Sequence, residues 1–69
     1  MKRVKLGSSA IKAVTYDETK RTLVVEFRRG DSYRYFGVPK AIYRRLLKVE
    51  SAGAFWNEVK DDFHYEKLE

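Results

Sequence analysis

The side chains with the most chemical reach in this sequence are cations interleaved with aromatic rings. Arg28, Arg29, Tyr33, Arg34 and Tyr35 fall within one short stretch, and Arg44, Arg45 and Lys48 follow a little further on. Guanidinium and ammonium groups carry several donors and suit phosphate oxygens. Tyrosine rings beside arginines offer flat surfaces on which unpaired bases stack. These eight residues are the candidate binding set, RNA or another polyanion is the expected partner, and Tyr33 is the expected stacking ring. The plainer alternative stays open: in a small domain Tyr33 and Tyr35 can be core residues whose hydroxyls reach the edge.

The rest of the reactive inventory leads nowhere. His64 is the single histidine and there is no cysteine, so no zinc shell can be assembled from soft ligands. Glu58, Asp61 and Asp62 have helical spacing but no further oxygen ligands near them in the chain, and read as a solvated acidic face. Ser8 and Ser9 have no base at a meaningful spacing. Gly30 and Gly37 are isolated turn residues, and Gly53 sits where it would allow close packing at the start of a helix; none builds a phosphate loop. No catalytic residue, no metal and no cofactor is expected, and the chain reads as a non-enzymatic module.

Sixty-nine residues make one domain at most, and a chain this short buries only about 60% of the surface its unfolded form exposes. The absence of cysteine removes the disulfide staples of small secreted domains and points to a reducing, cytoplasmic setting. The start, Met1-Lys2-Arg3-Val4-Lys5, is basic but no apolar run follows it. That points away from a signal peptide, and nowhere is there a span of about 20 apolar residues for a membrane helix. The net charge of +5 is uneven. Residues 1–48 hold thirteen cations and four acids, whereas residues 49–69 hold two cations and six acids. A polyanion would meet the first part, with the acidic end turned away from it.

The elements that must position these residues follow from periodicity. Residues 1–6 read as a flexible basic N-terminus, and residues 7–69 as one domain entered through a Gly7-Ser8-Ser9 hinge. Ile11 to Asp17 reads as a first strand, and the step from Ile11 to Val14 breaks alternation in the manner of a bulge. Thr22 to Arg28 is the clearest strand, with Leu23, Val25 and Phe27 on one face. Arg29-Gly30-Asp31 reverses the chain into an aromatic strand ending at Phe36. Pairing numbers that sum to an even total put Tyr33 and Tyr35 on the face of Leu23 and Val25; an odd total would bury Arg34, which is costly.

Pro39 suits a helix start. In the helix after it, Ile42, Tyr43, Leu46, Leu47 and Val49 lie on one side and Lys40, Arg44, Arg45 and Lys48 on the other. Ser51 suits the N-cap of a second helix whose apolar side holds Ala52, Phe55, Trp56, Val59 and Phe63, and which frays into a tail over 64–69. The expectation is an α+β fold, a three-stranded antiparallel meander packed on one face by two C-terminal helices in the order βββαα. Its core should hold Ile11, Val14, Leu23, Val25, Phe27, Tyr35, Ile42, Leu46, Phe55, Trp56 and Val59.

The ordered set Ser8-Ser9-x-Ile11, Tyr33-Arg34-Tyr35, Val38-Pro39 with Tyr43 and Leu46-Leu47, Ser51-x-Gly53-x-Phe55-Trp56-Asn57 and the closing pair Phe63 and Tyr65 resembles the KTSC domain. That family takes its name from the C-terminus of some lysyl-tRNA synthetases and includes short stand-alone bacterial proteins. The resemblance covers residues 7–68 and implies a small domain without known activity, for which RNA binding is the suggested role. It carries over only Tyr33 and Tyr35, the signature pair, and no catalytic residue. One departure is that family members usually carry basic residues along the last helix, where this chain has Glu58, Asp61 and Asp62. The alternative function is a protein-interaction module or homodimer with no nucleic-acid partner and no membrane, using a sheet edge or the acidic helix.

Overall fold

The structure, a computed structural model, describes residues 1–68. Four strands come first: β1 (Arg3–Lys5), β2 (Ile11–Asp17), β3 (Thr22–Phe27) and β4 (Ser32–Phe36). Two helices follow, α1 (Lys40–Lys48) and α2 (Ala52–Val59), then a 3-10 turn over Lys60–Asp62 and a last strand, β5 (His64–Leu68). All neighbouring strands are antiparallel, and their order in space is their order in the chain. Both helices lie in the excursion between β4 and β5, which pair with each other.

The α+β class holds, but the three-stranded meander ending in two helices does not. The sheet has five strands and the order is ββββααβ. Both missing strands sit at its edges: β1 lies inside the expected lead-in, and β5 occupies 64–68 of the expected tail, whose Glu69 falls outside the described residues. The physical reason is that edge strands here are held by backbone pairing and cross-strand contacts rather than by apolar side chains of their own. His64, Tyr65, Glu66 and Lys67 are all exposed. β1 has only Val4 turned partly inward, and is fastened across β2 by a two-contact ion pair from Arg3 to Glu26, at 2.8 and 3.0 Å.

Between these edges the pattern is as read. The register shifts between Ile11 and Ala13, so β2 has its bulge. Leu23 pairs with Tyr35 and Val25 with Tyr33, the even register, reached through a loop in which Gly30 takes a φ of +117°. Side-chain period two then sends Arg34, opposite Val24, to the other face. The inner face and the helices enclose Ile11, Val14, Leu23, Val25, Val38, Leu46 and Trp56, all fully buried, with Tyr16 and Tyr35 close behind. Phe27, Ile42, Phe55 and Val59, expected in the core, are half-buried around it.

Helix α2 is capped by Ser51, whose Oγ accepts from the Ala54 N–H at 3.3 Å. A Cβ on Gly53 would stand 2.8 Å from the Ala10 Cβ, so this helix start lies hard against the segment entering β2. On the other side Tyr16 stacks on Tyr43 of α1, with ring centroids 4.6 Å apart, and its hydroxyl donates to the Val38 carbonyl at 2.7 Å. This buried bond fixes the chain where it leaves the sheet. Tyr16→Phe strands the Val38 carbonyl and should cost about 1–2 kcal/mol. A fall in thermal midpoint of roughly 4–8 °C per kcal/mol, read by circular dichroism, checks it.

Candidate nucleic-acid interface

The eight candidate residues separate in space. Arg28 and Arg29 occupy the loop between β3 and β4, but their side chains do different things. Arg28 turns back to the segment between β1 and β2, where Nε donates to the Ser8 carbonyl and Nη2 to the Leu6 carbonyl at 2.9 Å. Its backbone N–H donates to the Ala10 carbonyl, also at 2.9 Å, so Arg28 is a clamp for that segment. Arg29 donates from Nε to Asp31 Oδ1 at 2.7 Å and lies 5.2 Å from the centre of the Phe27 ring.

Arg34 is on the sheet face away from the helices and donates to Glu66 of β5 at 2.6 Å. Arg44, Arg45 and Lys48 are exposed on α1, with Arg45 5.3 Å from the centre of the Phe55 ring. Lys40, at the start of α1, reaches Glu18 at 3.1 Å. Arg34 thus stands on the opposite side of the sheet from the α1 cations. The acidic end does not turn away either: Glu66 is the partner of Arg34.

What does come together is the tyrosine pair and Arg29. Tyr35 is buried at 4% exposure, edge-on to Trp56 with centroids 4.9 Å apart. Burial raises the pKa of its hydroxyl above the usual tyrosine value, opposed by the neighbouring indole N–H. Tyr33 is half-buried at the rim, 5.6 Å from Tyr65 and 5.9 Å from Phe27, both edge-on. Tyr65 is 60% exposed. These four rings, with Arg29, Lys60 and Asp61, line a narrow cleft of about 100 Å³.

Phe27, Arg29 and Lys60 are shared with a larger recess of about 430 Å³, completed by Trp56, Asn57, Arg28 and the small residues Ser9, Ala10, Gly53 and Ala54. Trp56 is 1% exposed, and its Nε1 has no hydrogen-bond partner among the described residues. The Tyr35 hydroxyl beside it feels the indole N–H, although the two fall short of the distance and angle of a full hydrogen bond. Reading the sequence missed Lys60, Tyr65 and Asn57. Lys60 lay hidden on a helix expected to run through it, and Tyr65 on a strand that was not expected at all.

Among the described residues, no group of three or more His, Cys, Asp or Glu stands close enough to hold a metal ion. No helix among them is long and apolar enough to cross a membrane.

A KTSC domain model matches residues 7–65. The chain belongs to the KTSC domain family. An uncharacterised protein of Stutzerimonas stutzeri is 42% identical over 65 residues, covering 94% of this chain and 92% of that protein. A lysine–tRNA ligase of Nostoc sp. is 38% identical over 66 residues, which are 94% of this chain and only 12% of the ligase. A crystal structure of a KTSC domain protein from Yersinia pestis superposes with a TM-score of 0.93 at 32% identity, covering 99% of this chain and 97% of that one. The five-stranded sheet with its helical excursion is therefore the architecture of a KTSC domain, and the function of this small domain is uncharacterised.

Two predictions follow from the polar contacts. Arg28→Ala releases two backbone carbonyls and should cost about 1–3 kcal/mol; Arg34→Ala breaks a half-exposed ion pair and should cost under about 1 kcal/mol. Urea denaturation of the two variants orders them. Hydrogen bonding by Arg3 holds the Glu26 carboxyl below its usual value, and Arg29 does the same for Asp31. A depressed carboxylate stabilises the fold above its unfolded-state pKa and loses that effect as pH falls through the folded one. The denaturation midpoint should therefore drop between about pH 5 and about pH 3, and drop less in a Glu26→Gln, Asp31→Asn double variant.

Proposed function

We propose that this KTSC domain binds single-stranded RNA in the aromatic cleft, with a base against Tyr33 and Tyr65 and the adjoining phosphate on Arg29 and Lys60. The observation that carries the reading is that both tyrosines of the Tyr-x-Tyr pair line one cleft with two cations. Rings that are partly open beside a guanidinium give sequence-tolerant stacking, while the cations supply the salt-dependent part of the affinity. The lysine–tRNA ligases that contain a segment similar to this chain act, by their name, with tRNA. The role of the candidate set is divided accordingly. Arg29, Tyr33 and Tyr35 belong to the cleft, Arg28 supports its wall, Arg44, Arg45 and Lys48 extend a strand's path along α1, and Arg34 contributes little while Glu66 holds it.

Asp61 also lines the cleft and opposes phosphate there, so the affinity should be modest. Titration with a short unstructured RNA and with tRNA at two salt concentrations tests the proposal. Two phosphate contacts predict a slope of log affinity against log salt near −1.4, from about −0.7 per contact. Tyr33→Ala should cost about 1–3 kcal/mol of binding, and Arg29→Ala should flatten the salt dependence. Binding absent even at low salt overturns the reading. A second reading, self-association through β5, is favoured by one observation: β5 pairs only with β4 among the described residues, leaving one backbone edge open. A molar mass that stays monomeric at high concentration in light scattering removes it.

A further inference from the structure

The narrow cleft leaves its larger neighbour unexplained. Three properties of that recess point to a ligand rather than to imperfect packing. Its volume of about 430 Å³ falls in the range of small-molecule sites, in a protein of 69 residues. Its charged side chains are Arg28, Arg29 and Lys60, and no carboxylate lines it among the described residues. Lys60 has no ion-pair partner there, and Arg29 hydrogen-bonds Asp31 through Nε, leaving its terminal nitrogens without a hydrogen-bonded carboxylate among the described residues.

The third property is the indole. Trp56 lines the recess while being almost completely buried, and its Nε1 donor is unmet. Buried donors are nearly always satisfied, because leaving one unmade costs much of what its hydration was worth. Phe63 stacks on the indole at an interplanar angle of 11°, and Tyr35 meets it edge-on, so the ring itself is well packed. What lacks a partner is the one polar atom. Nε1 has almost no accessible surface of its own, so an acceptor entering from the recess would complete it once a small shift of the lining side chains opens it.

We propose that this recess binds a nucleoside monophosphate unit, with the phosphate on Arg29 and Lys60 and an acceptor on the base edge receiving the Trp56 Nε1–H. A dianionic phosphate matches an all-cation lining better than a monoanion does, and a flat base carries both the acceptor and the apolar faces that suit Phe27 and the methyls of Ala10 and Ala54. This rests on the nucleic-acid reading above and extends it. Arg29 and Lys60 line both sites, so cleft and recess take a nucleotide by turns: an internal one in the narrow cleft, or one bearing a terminal phosphate, free in solution or at the end of a strand, in the wider recess.

The protein has a single tryptophan, so its indole N–H gives one resonance in a ¹⁵N correlation spectrum and needs no assignment. The probes are uridine 5′-monophosphate, uridine, inorganic phosphate, and an RNA hexamer with and without a 5′-phosphate. The expected result is a saturable shift of the indole resonance with the monophosphate or the phosphorylated hexamer. Affinity should be weaker by about tenfold for uridine, inorganic phosphate and the unphosphorylated hexamer, the scale of a charge-assisted contact. Trp56→Phe keeps an aromatic ring but loses the fused pyrrole and its donor; it should stay folded at lower stability, checked by circular dichroism, and bind the monophosphate about tenfold less tightly, read from backbone resonances. Lys60→Ala, at a partly open position, should weaken every phosphate-bearing probe, the unphosphorylated hexamer included through its internal phosphates, and leave uridine unchanged.

A response to the hexamer alone assigns the site to strand ends, and a response to both assigns it to free nucleotides as well; either supports the proposal. An indole resonance unmoved at saturating probe, or equal binding with and without phosphate, overturns it. If RNA binds with Tyr33 dependence while the indole stays still, only this inference falls. If no RNA binds at all, it is the cleft reading that falls, and the monophosphate titration still decides the recess.

Discussion

The pairing of β3 with β4 in even register is the constraint on which the rest of the molecule depends. Leu23 opposite Tyr35 and Val25 opposite Tyr33 put two rings and two aliphatic side chains on one face, and leave Arg34 opposite Val24 on the other. A slip of one residue would exchange every side chain between faces. Arg34 would then meet Trp56 and Leu46 in the core, at the cost of an unpaired buried guanidinium. β5 inherits the same choice, since Tyr65 pairs with Tyr35 and so joins the inner face. The aromatic cleft is thus a consequence of strand register, fixed by a loop that turns at Gly30, before any helix is placed.

The helices then decide how much of that face is sealed. α2 has eight residues and is about 12 Å long, and it places Trp56 over Tyr35 before the 3-10 turn at Lys60–Asp62 carries the chain away to β5. Ile11 and Val14 of β2 and Leu23 and Val25 of β3 are fully buried, whereas Tyr33 is half-covered and Tyr65 lies mostly open. The cover ends between Tyr35 and Tyr33. Two tyrosines two residues apart therefore have different duties: one is a core ring held edge-on against the indole, and the other is a rim ring with a face available. Of the opposed roles considered for the pair, packing belongs to Tyr35, and the proposed binding falls to Tyr33.

This division also explains how far the sequence was legible. Strong alternation in Thr22–Phe27, the bulge after Ile11, the parity of the hairpin, both helix starts and the Ser51 cap were all readable because each is written in side-chain type at short range. The edge strands were not. Arg3-Val4-Lys5 is too short to show a period, and His64-Tyr65-Glu66-Lys67-Leu68 places polar groups on both faces, so its stability comes from the ladder with β4 and not from burial. Missing β5 hid Tyr65 and the turn that presents Lys60, and with them half of the cleft lining. The core residues overlooked, Tyr16 and Val38, are joined by a hydrogen bond across 22 positions that no local pattern records.

Charge was the least legible quantity, because its sum says nothing of its pairing. The surplus of positive side chains in residues 1–48 invites a broad polyanion surface, yet Arg3, Arg29, Arg34 and Lys40 each meet a carboxylate, and Arg28 holds backbone carbonyls. The carboxylate on Arg34 comes from the acidic end of the chain, brought alongside by the strand that was missed. An exposed ion pair still exchanges with solvent and adds little to stability, but it lowers the field that an approaching phosphate meets. The attraction that remains is local, at Arg29 with Lys60 and along α1. The proposed ligand accordingly has its charge and its ring within a nucleotide's length of each other, which a diffuse basic surface would not require.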